Sequence, residues 1–306
     1  MSTKPKTKPP QALAGVWRDS LLATFAAIDA HLGEASASDA IVHTARRELK
    51  RLAALARLAP SSHKQLARDT RRAADVTRRA LGGQRNTSVM SKLIDGMANK
   101  LGEEAQLVRA AVEQSAKTHP AEEVTAGRES LTQLREAWKA AETLDDEALL
   151  AHVVKGYRRA RKRADAAAEG SAKALHRWRS AIVAHHYQLA FLARIAPALK
   201  AHAKDVDALR DRLGDWNDID MLQAHAHGGL AKANRKALAE AVAADKHKLE
   251  TAASRAGAKL FEPKPRVFRE TINAALVATQ ADKPTATVKA QKPKKAAKPA
   301  EAKPSA

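Results

Sequence analysis

Apolar residues return every three or four positions from Gln11 to about Gln280, and residues that break helices are few in this stretch. Such spacing places apolar side chains on one face of an α-helix and polar side chains on the other. Valine, isoleucine, phenylalanine and tyrosine, which strands favour, are scarce, whereas alanine dominates the apolar residues. The pattern predicts an all-α fold.

Glycine, proline and helix-capping residues interrupt this pattern at intervals, and they predict where one helix ends and the next begins. The predicted breaks lie near residues 33–38, 60–62, 82–83, 118–120, 144–145, 169–171, 197, 214 and 228–229. They divide the chain into about eight helices of ordinary length.

A short pattern occurs twice along the chain. A histidine followed three positions later by an arginine is found at His43 and again at His176. A Leu-Gly pair also recurs, and the interval from Gly82 to Gly214 differs by a single position from the interval between the two histidines. Two landmarks in one register predict an internal repeat, and we expect two pseudo-symmetric four-helix bundle repeats.

These observations predict the organisation of the chain. The folded domain is expected to span residues 12–275, with the first repeat at about 12–143 and the second at about 145–255. Residues 1–11 and 281–306 are expected to be disordered basic termini, since the second of these is a Lys-Ala-Pro tract that is too polar and too rich in proline to pack.

The chain is strongly basic, with 54 Lys and Arg against 34 Asp and Glu, which gives a formal net charge of +20. Residues 1–10 contain three lysines and no acid, and residues 281–306 contain seven lysines and two acids. The predicted folded domain therefore keeps most of the surplus positive charge. A charge this far from neutral attracts anionic partners, polyanions above all.

The helix that contains His43 carries a stripe of cations along one face. Within about 60° of His43 around the helix axis lie Arg46, Lys50 and Arg57, and Arg47 and Arg51 flank them. The opposite side is apolar, and the acid that follows His43 in this helix falls off the stripe. Solvated helix faces usually mix both signs of charge, so an unneutralised row of cations favours an anionic ligand.

The corresponding helix of the second repeat carries a thinner stripe. His176 and Arg179 occupy the matching positions, but Ser180 and Val183 stand where the first repeat has cations. His185 falls on the apolar side of this helix. We therefore expect His185 to be packed in the core.

Two further helices are rich in arginine, whose planar fork offers phosphate two parallel donors. Together with the two histidine helices they are expected to line a groove. These cations are Arg68, Arg71, Arg72, Arg78 and Arg79 in the first repeat, and Arg158, Arg159, Arg161, Lys162 and Arg163 in the second.

Signatures of catalysis and metal binding are weak. The sequence contains no phosphate-binding glycine loop, no HExxH, no GxSxG and no dinucleotide fingerprint. It contains no cysteine, and His225 and His227, with Asp218 and Asp220, lack a regular ligand frame. We expect no catalytic residue, no metal and no cofactor.

The start of the sequence has no apolar segment typical of a signal peptide, and no stretch approaches 18 uncharged apolar residues. The absence of cysteine fits a reducing compartment. A cytoplasmic protein without a membrane segment is the expectation.

The repeated histidine helix is similar to that of the CHAD domain, a family named for its histidine and α-helices. The run VHTARRELKRL from Val42 resembles the first family motif. The runs YRRARK from Tyr157 and HRWR from His176 resemble the second family motif. The run LGDWND from Leu213 resembles the start of a later helix in the family. The resemblance covers roughly residues 12–255. It implies two pseudo-symmetric four-helix bundles that bind inorganic polyphosphate in a basic groove, often at polyphosphate granules.

Carried over by position, the resemblance implies phosphate contacts from the two histidine helices, and the arginine-rich helices are expected to add to them. The expected polyphosphate-binding residues are His43, Arg46, Arg47, Lys50, Arg51, Arg72, Arg79, Arg158, Arg161, Lys162, His176 and Arg179.

The second repeat departs from the family pattern. Family members commonly have Lys or Arg where Ser180, Val183 and Ala184 stand, so the second face is expected to bind weakly unless residues 157–163 compensate. Tyr157 is then either a hydrogen-bond donor at the groove or a packed aromatic residue.

Noncatalytic binding of inorganic polyphosphate is the leading hypothesis. A DNA- or RNA-binding architectural protein that acts through the basic tail is the first alternative, although aromatics for base stacking are few. An enzyme on phosphate esters is the second, but phosphoryl transfer needs carboxylates and a divalent metal, and the stripes show cations only. Two simpler interpretations stay open, in which the histidines only begin helices and the stripes are only solvated.

Overall fold

The structure, a computed structural model of the chain, describes residues 13–34, 38–114, 121–141, 145–168 and 170–281. Within these residues the secondary structure consists of twelve α-helices and two short 3-10 turns, without a strand. The all-α prediction is confirmed. The predicted basic termini lie outside the described residues, except that the last helix ends at Ala281.

The helices follow one another with short connections. In chain order they are α1 (Leu13–Gly33), α2 (Asp39–Ala56), α3 (Lys64–Ala80), α4 (Gly83–Gly96), α5 (Ala98–Leu101), α6 (Glu104–Gln114), α7 (Ala121–Ala140), α8 (Asp146–Ala167), α9 (Ala172–Ile195), α10 (Lys200–Ala226), α11 (Lys232–Leu260) and α12 (Pro265–Ala281). The 3-10 turns Ser61–His63 and Pro197–Leu199 precede α3 and α10.

Most helices begin and end where the capping chemistry predicts. Ser38 and Ser171 precede α2 and α9, and each hydroxyl accepts a hydrogen bond from the amide three residues further on, at 3.3 and 3.2 Å. Pro60 and Pro197 follow the ends of the same two helices, because proline lacks the amide hydrogen that an α-helix needs. Predicted breaks also separate α3 from α4, α6 from α7, α7 from α8 and α10 from α11, in addition to α1 from α2, α2 from α3, α8 from α9 and α9 from α10.

Other boundaries differ from the prediction. The break predicted at Gly214 is wrong, since this residue lies inside α10, where Leu213 and Trp216 are buried and fix the helix by packing. Three breaks were not predicted: one between α4 and α5, one around Gly102, whose φ of +56° ends α5, and one between α11 and α12. The chain therefore has more helices than the eight expected.

The helices pack in two groups of four. In the first helix group, α1 and α3 each contact both α2 and α7. In the second helix group, α9 contacts α8 and α10, and α11 contacts α10 and α8. Helices α2 and α9 join the two groups along a direct contact. The first group lies within the first predicted repeat, and the second group extends to Leu260, past the predicted end near residue 255. The pseudo-symmetry between the groups stays a prediction.

Four helices lie outside these groups. Helices α4, α5 and α6 pack against α10 and α11 and share with them a small apolar cluster of their own. Helix α12 packs against α8 and the turn before α10. The main core, by contrast, is one continuous cluster that draws buried side chains from both helix groups, including Trp17, Trp138, Trp178 and Trp216.

Two hydrogen-bonded joints link the helix groups. The carboxylate of Asp146, at the start of α8, accepts hydrogen bonds from the amides of Leu13 (3.1 Å) and Ala14 (2.7 Å) and so caps α1. The buried side chain of Gln188 on α9 donates to the carbonyl of Ala54 on α2 at 3.2 Å. Each group therefore satisfies polar atoms of the other.

Within the described part of the chain, no helix is long and apolar enough to cross a membrane.

Candidate functional site

A cavity of about 370 Å³ lies between the two helix groups. The end of α2, the start of α3 and the middle of α8 and α9 form its walls. We call it the inner cavity. Its ionisable lining residues are Arg57, Lys64, Arg71, His152, Lys155 and Arg159, and none of the described residues that line it is acidic.

A second, shallower depression of about 450 Å³ continues along α8 and α9. We call it the outer groove. It shares two lining residues with the inner cavity, Arg159 and Ser180, so the two spaces adjoin. Its other lining residues are Arg163, Lys173, His176 and Arg177.

Three guanidinium groups of the inner cavity act on one another. Burial, together with smaller contributions from the positive charges of Arg71 and Arg159, lowers the pKa of Arg57 to about 10. Burial also lowers the pKa of Arg71, again with a contribution from Arg159. Asp75 offsets part of both effects, but among the described residues no ion pair includes any of the three arginines. Like charges are thus held together without a paired counter-ion in the described part of the chain.

Small residues on α8 and α9 make the space for this cluster. Ala181 and Ala184 line the inner cavity, as does Gly156, where a Cβ atom would lie 2.3 Å from the side-chain oxygen of Gln188. The hydroxyl of Ser180 turns back to the carbonyl of His176 at 3.0 Å. Two positions at which the second repeat lacks the family's cations therefore border open space.

Cations from other helices face that space. Lys155 and Arg159 reach it from α8, and Arg57 and Arg71 reach it from α2 and α3. Arg159 belongs to residues 157–163, the segment expected to compensate for the missing cations. Compensation by this segment stays a prediction, and the placement of Arg159 agrees with it.

His176 borders the outer groove and has an acidic partner. Its Nε2 atom lies 2.8 Å from a carboxylate oxygen of Asp220, and the other oxygen accepts from the ammonium of Lys246 at 2.8 Å. Burial raises the pKa of Asp220, but the hydrogen bonds from Lys246 and His176 outweigh it and lower that pKa overall. The imidazole also packs edge-on against Trp216, with ring centroids 5.0 Å apart. The sequence did not place a carboxylate beside this histidine.

Arg46 does not project into solvent as its place on the stripe suggested. Only 7% of the residue is exposed, and its Nη1 atom donates to the carbonyl of Arg78 at 2.7 Å. The last carbonyls of a helix lack partners within the helix, and a cation there satisfies them and complements the helix dipole. The side chain thus ties α2 to the end of α3.

The other cations of the α2 stripe have different surroundings. His43 and Arg47 are exposed, and Lys50 is half-buried. Arg51 pairs with Glu48 at 3.5 Å. Acid therefore accompanies part of this face.

Beside Arg47 the charges are of both signs. Burial raises the pKa of Tyr187, while the nearby positive charges of Arg210 and Arg47 act to lower it. Arg210 is itself paired with Asp207 and Asp211, each at 2.8 Å. This side of the contact between α2 and α9 is therefore less suited to a polyanion than the inner cavity.

The remaining predicted cations are spread over several surfaces. Arg72 and Arg79 line a groove between α3 and α7, where Asp69 and Glu123 are also present. Arg158 and Lys162 are exposed on α8, and Arg161 and Arg179 are half-buried. Of the twelve predicted residues, all of which the structure describes, His176 is the one that lines the inner cavity or the outer groove.

Arg71 and Arg159 were thus predicted on groove-lining helices, but neither they nor Arg57 were among the residues expected to bind polyphosphate. Arg57 lies on the same helical stripe as His43, and Arg71 and Arg159 belong to the arginine-rich helices. The signal that could have singled out the cavity is the row of small residues Gly156, Ser180 and Ala184, because small side chains on facing helices leave room between them.

The structure shows the surroundings of Tyr157, whose role the sequence left open, and of His185, which the sequence placed in the core. Tyr157 is buried, its hydroxyl donates to the carbonyl of Pro263 at 2.7 Å, and its ring stacks on Phe268 at 4.0 Å. It is therefore a packed aromatic residue and not a donor at the groove. His185 is buried, as predicted.

Among the described residues no group of three or more His, Cys, Asp or Glu side chains is arranged to hold a metal ion. His225, one of the weak sequence candidates, lies with its Nδ1 atom 2.9 Å from the carbonyl of Met221. Asp218 and Asp220 do not form a shared ligand pair either, since the carboxylate of Asp220 binds His176 and Lys246.

The fold and the site define a class of protein: an all-helical protein with a basic cavity between two four-helix groups. No described acid lines that cavity. The family model of the CHAD domain matches residues 7–227, so the chain belongs to the CHAD domain family. The match ends with α10, and α11 and α12 lie beyond it. No curated protein and no solved structure gives a significant match to the chain.

Proposed function

We propose that the protein binds inorganic polyphosphate in the inner cavity and the outer groove. Membership of the CHAD domain family, which is linked to polyphosphate binding, supports the ligand class. The observation that carries the proposal is the cluster of Arg57, Arg71 and Arg159 without a described acid in the lining. Holding these charges together lowers stability, and a bound polyanion removes that penalty.

Arginine suits this ligand for geometric reasons. The guanidinium fork donates two parallel hydrogen bonds to phosphate oxygens, and such charge-assisted bonds are stronger than neutral ones. Each contributes about 1.5 to 3 kcal/mol when it replaces hydration. A linear phosphate chain therefore gains affinity from every arginine that it meets along α8 and α9.

We propose further that binding is noncatalytic. Phosphoryl transfer relies on divalent metal held by carboxylates that face the phosphates. Asp220, the acid that contacts His176 of the outer groove, is already engaged by that imidazole and by Lys246. Release of orthophosphate that depends on added Mg²⁺ or Mn²⁺ would contradict this part of the proposal.

We also propose that a pseudo-two-fold relates the two helix groups. The start of α8 follows the start of α1 at the same distance along the chain at which the start of α9 follows that of α2. The same offset separates His43 from His176. An experimental structure in which α1, α2 and α3 superpose on α8, α9 and α10 tests this relation.

The binding site is tested by titrating polyphosphate over a series of salt concentrations. We expect Arg57→Gln/Arg159→Gln to bind about tenfold more weakly or worse, with a salt dependence that is shallower by roughly two phosphate contacts. The control Arg72→Gln/Arg158→Gln removes the same charge from neighbouring positions outside the cavities. Equal losses in both variants would show that net charge alone decides binding.

Nucleic acid is the competing ligand. We expect excess polyphosphate to displace DNA of equal charge far better than DNA displaces polyphosphate, because duplex DNA is too wide for the inner cavity. DNA binding that equals polyphosphate binding and survives Arg57→Gln/Arg159→Gln would assign the function to nucleic acid. Cytoplasmic residence at polyphosphate granules is part of the proposal, and co-localisation of the tagged protein with stained granules checks it.

A further inference from the structure

The inner cavity and the outer groove differ in how they enclose a ligand. The outer groove is lined by two helices, α8 and α9. The inner cavity is lined by four helices, α2, α3, α8 and α9, and also by the turn that contains Pro60 and Ser61. A chain can lie along the first space, but the second surrounds its contents on several sides.

The two spaces follow one another in a fixed order. Along α8 the lining runs from Arg163 through Arg159 to His152, and along α9 it runs from Lys173 through Ser180 to Gln188. A linear ligand in the outer groove therefore reaches the inner cavity at Arg159. Beyond that point the lining includes the buried side chain of Gln188, which lies against Gly156.

The concentration of charge also differs between the two spaces. In the inner cavity the charges of Arg71 and Arg159 add to the effect of burial in lowering the pKa of Arg57, and no described acid lines the space. In the outer groove, His176 already has Asp220 as a partner. The demand for negative charge is therefore greatest at the inner-cavity end of this path.

A linear polyphosphate has one kind of unit that matches this end. Each internal phosphate carries a single negative charge, whereas a terminal phosphate gains a second one as it ionises near pH 6, as phosphate monoesters do. The terminal unit is also the one whose neighbours continue on one side only, so the rest of the chain can stay in the outer groove. Its charge and its position along the ligand both fit the inner cavity.

We propose that the inner cavity recognises the terminal phosphate of a polyphosphate chain, while the outer groove holds the units that follow it. The inference rests on the proposed function and adds to it a preference for chain ends. The protein would then bind linear chains with free ends and discriminate against cyclic phosphates, which have no ends.

The test compares linear and cyclic hexaphosphate as competitors of a labelled long chain on the full-length protein. We expect the linear form to bind about tenfold or more tightly than the cyclic form at pH 8, since its dianionic end meets several arginines. We expect this ratio to shrink towards pH 5, where the end carries a single charge. Chains with esterified ends should behave like the cyclic form.

Two matched variants locate the preference. In Arg57→Gln/Arg71→Gln, which alters the inner cavity, the ratio between linear and cyclic forms should fall to near one. In Lys173→Gln/Arg177→Gln, which alters the outer groove, both affinities should fall together and the ratio should persist. Loss of the ratio in the second variant alone, or a ratio of one in the wild type, would overturn the inference.

Folding of the variants is checked by thermal unfolding without ligand. Because Arg57→Gln/Arg71→Gln removes two mutually repelling charges, its melting temperature should equal or exceed that of the wild type. If it falls, Lys155→Gln takes its place, since Lys155 lines the inner cavity and is exposed. Long-chain binding without end preference refutes this inference alone, whereas absence of long-chain binding refutes the proposed function.

Discussion

The imidazole of His185 lies among the rings of Tyr157, Phe261 and Phe268. Only 1% of the residue is exposed, and neither ring nitrogen has a hydrogen-bond partner among the described residues. Burial, with smaller contributions from nearby His202 and His186, lowers its pKa from 6.5 to about 3. The folded protein therefore keeps this side chain neutral at pH values where the unfolded chain protonates it.

This difference makes stability depend on pH. Below pH 6.5 the unfolded chain binds a proton that the folded state refuses, so stability is complete above pH 6.5 and is lost as the pH falls towards 3. Between about pH 7.5 and pH 5 the loss from His185 amounts to roughly 2 kcal/mol. Urea unfolding at the two pH values measures it.

The control is His185→Leu, which removes the titrating group and keeps an apolar side chain of comparable size. We expect its stability to change less between the two pH values, by about the contribution of one histidine. His202 and His186, whose pKa values burial also lowers, remain and supply the rest. An identical pH dependence in wild type and variant would contradict the assignment.

Single residues also show what the sequence could predict. The burial of His185 could be predicted from helical periodicity, because its position on the apolar face of the helix directs its short side chain into the core. Arg46 starts from the edge of a polar stripe, but its long side chain reaches the carbonyl of Arg78. Helical periodicity therefore predicts the direction of the Cα–Cβ bond but not the position of the terminal group of a long, flexible side chain.

At the scale of helices, two glycines have opposite surroundings. Gly257 in α11 packs so closely on α9 that a Cβ atom there would lie 2.5 Å from the indole of Trp178. Gly214 in α10 has no atom within 4 Å of such a Cβ position. Both residues lie inside helices, where alanine is intrinsically better than glycine by about 1 kcal/mol.

The two alanine variants should therefore differ in sign. Gly214→Ala is expected to stabilise the protein by up to about 1 kcal/mol, since it gains helix propensity at no steric cost. Gly257→Ala is expected to destabilise it by about 1 to 3 kcal/mol, because the buried indole has no free space to move into. Urea unfolding of both variants checks this, and a shared sign would contradict the packing at Gly257.

Gly214 also shows why some helix boundaries could not be predicted. A glycine next to an aspartate signals a break in isolation, but buried neighbours on both sides keep α10 continuous. Conversely, the break at Gly102 has no proline beside it and depends on a backbone conformation with a φ of +56°. Propensity predicts a boundary only where tertiary contacts agree with it.

At the scale of the whole molecule, the core and the inner cavity both belong to the two helix groups jointly. Apolar clusters that a single group would leave exposed are covered through the contact between α2 and α9. The site could not be predicted from sequence for the same reason. Each arginine was visible on its own helix, but their approach depends on how two distant parts of the chain pack.

A chain divided at residue 144 should therefore lose cooperative folding. We expect neither 1–143 nor 145–306 to show a sharp thermal transition alone, because each exposes part of one shared core. Circular dichroism on the separate fragments and on their mixture measures this. A sharp transition in either separate fragment would show that the helix groups are independent domains.

The cap that Asp146 places on α1 has a consequence for the order of events during synthesis. The first helix begins with amides whose acceptor lies in the second half of the chain. When a ribosome has released only the first helix group, the start of α1 still lacks this carboxylate, and the face of α2 still lacks α9. The amino-terminal half consequently cannot complete its packing until the second half has been synthesised. Until translation passes the middle of the chain, its exposed apolar surface is a natural binding site for a chaperone.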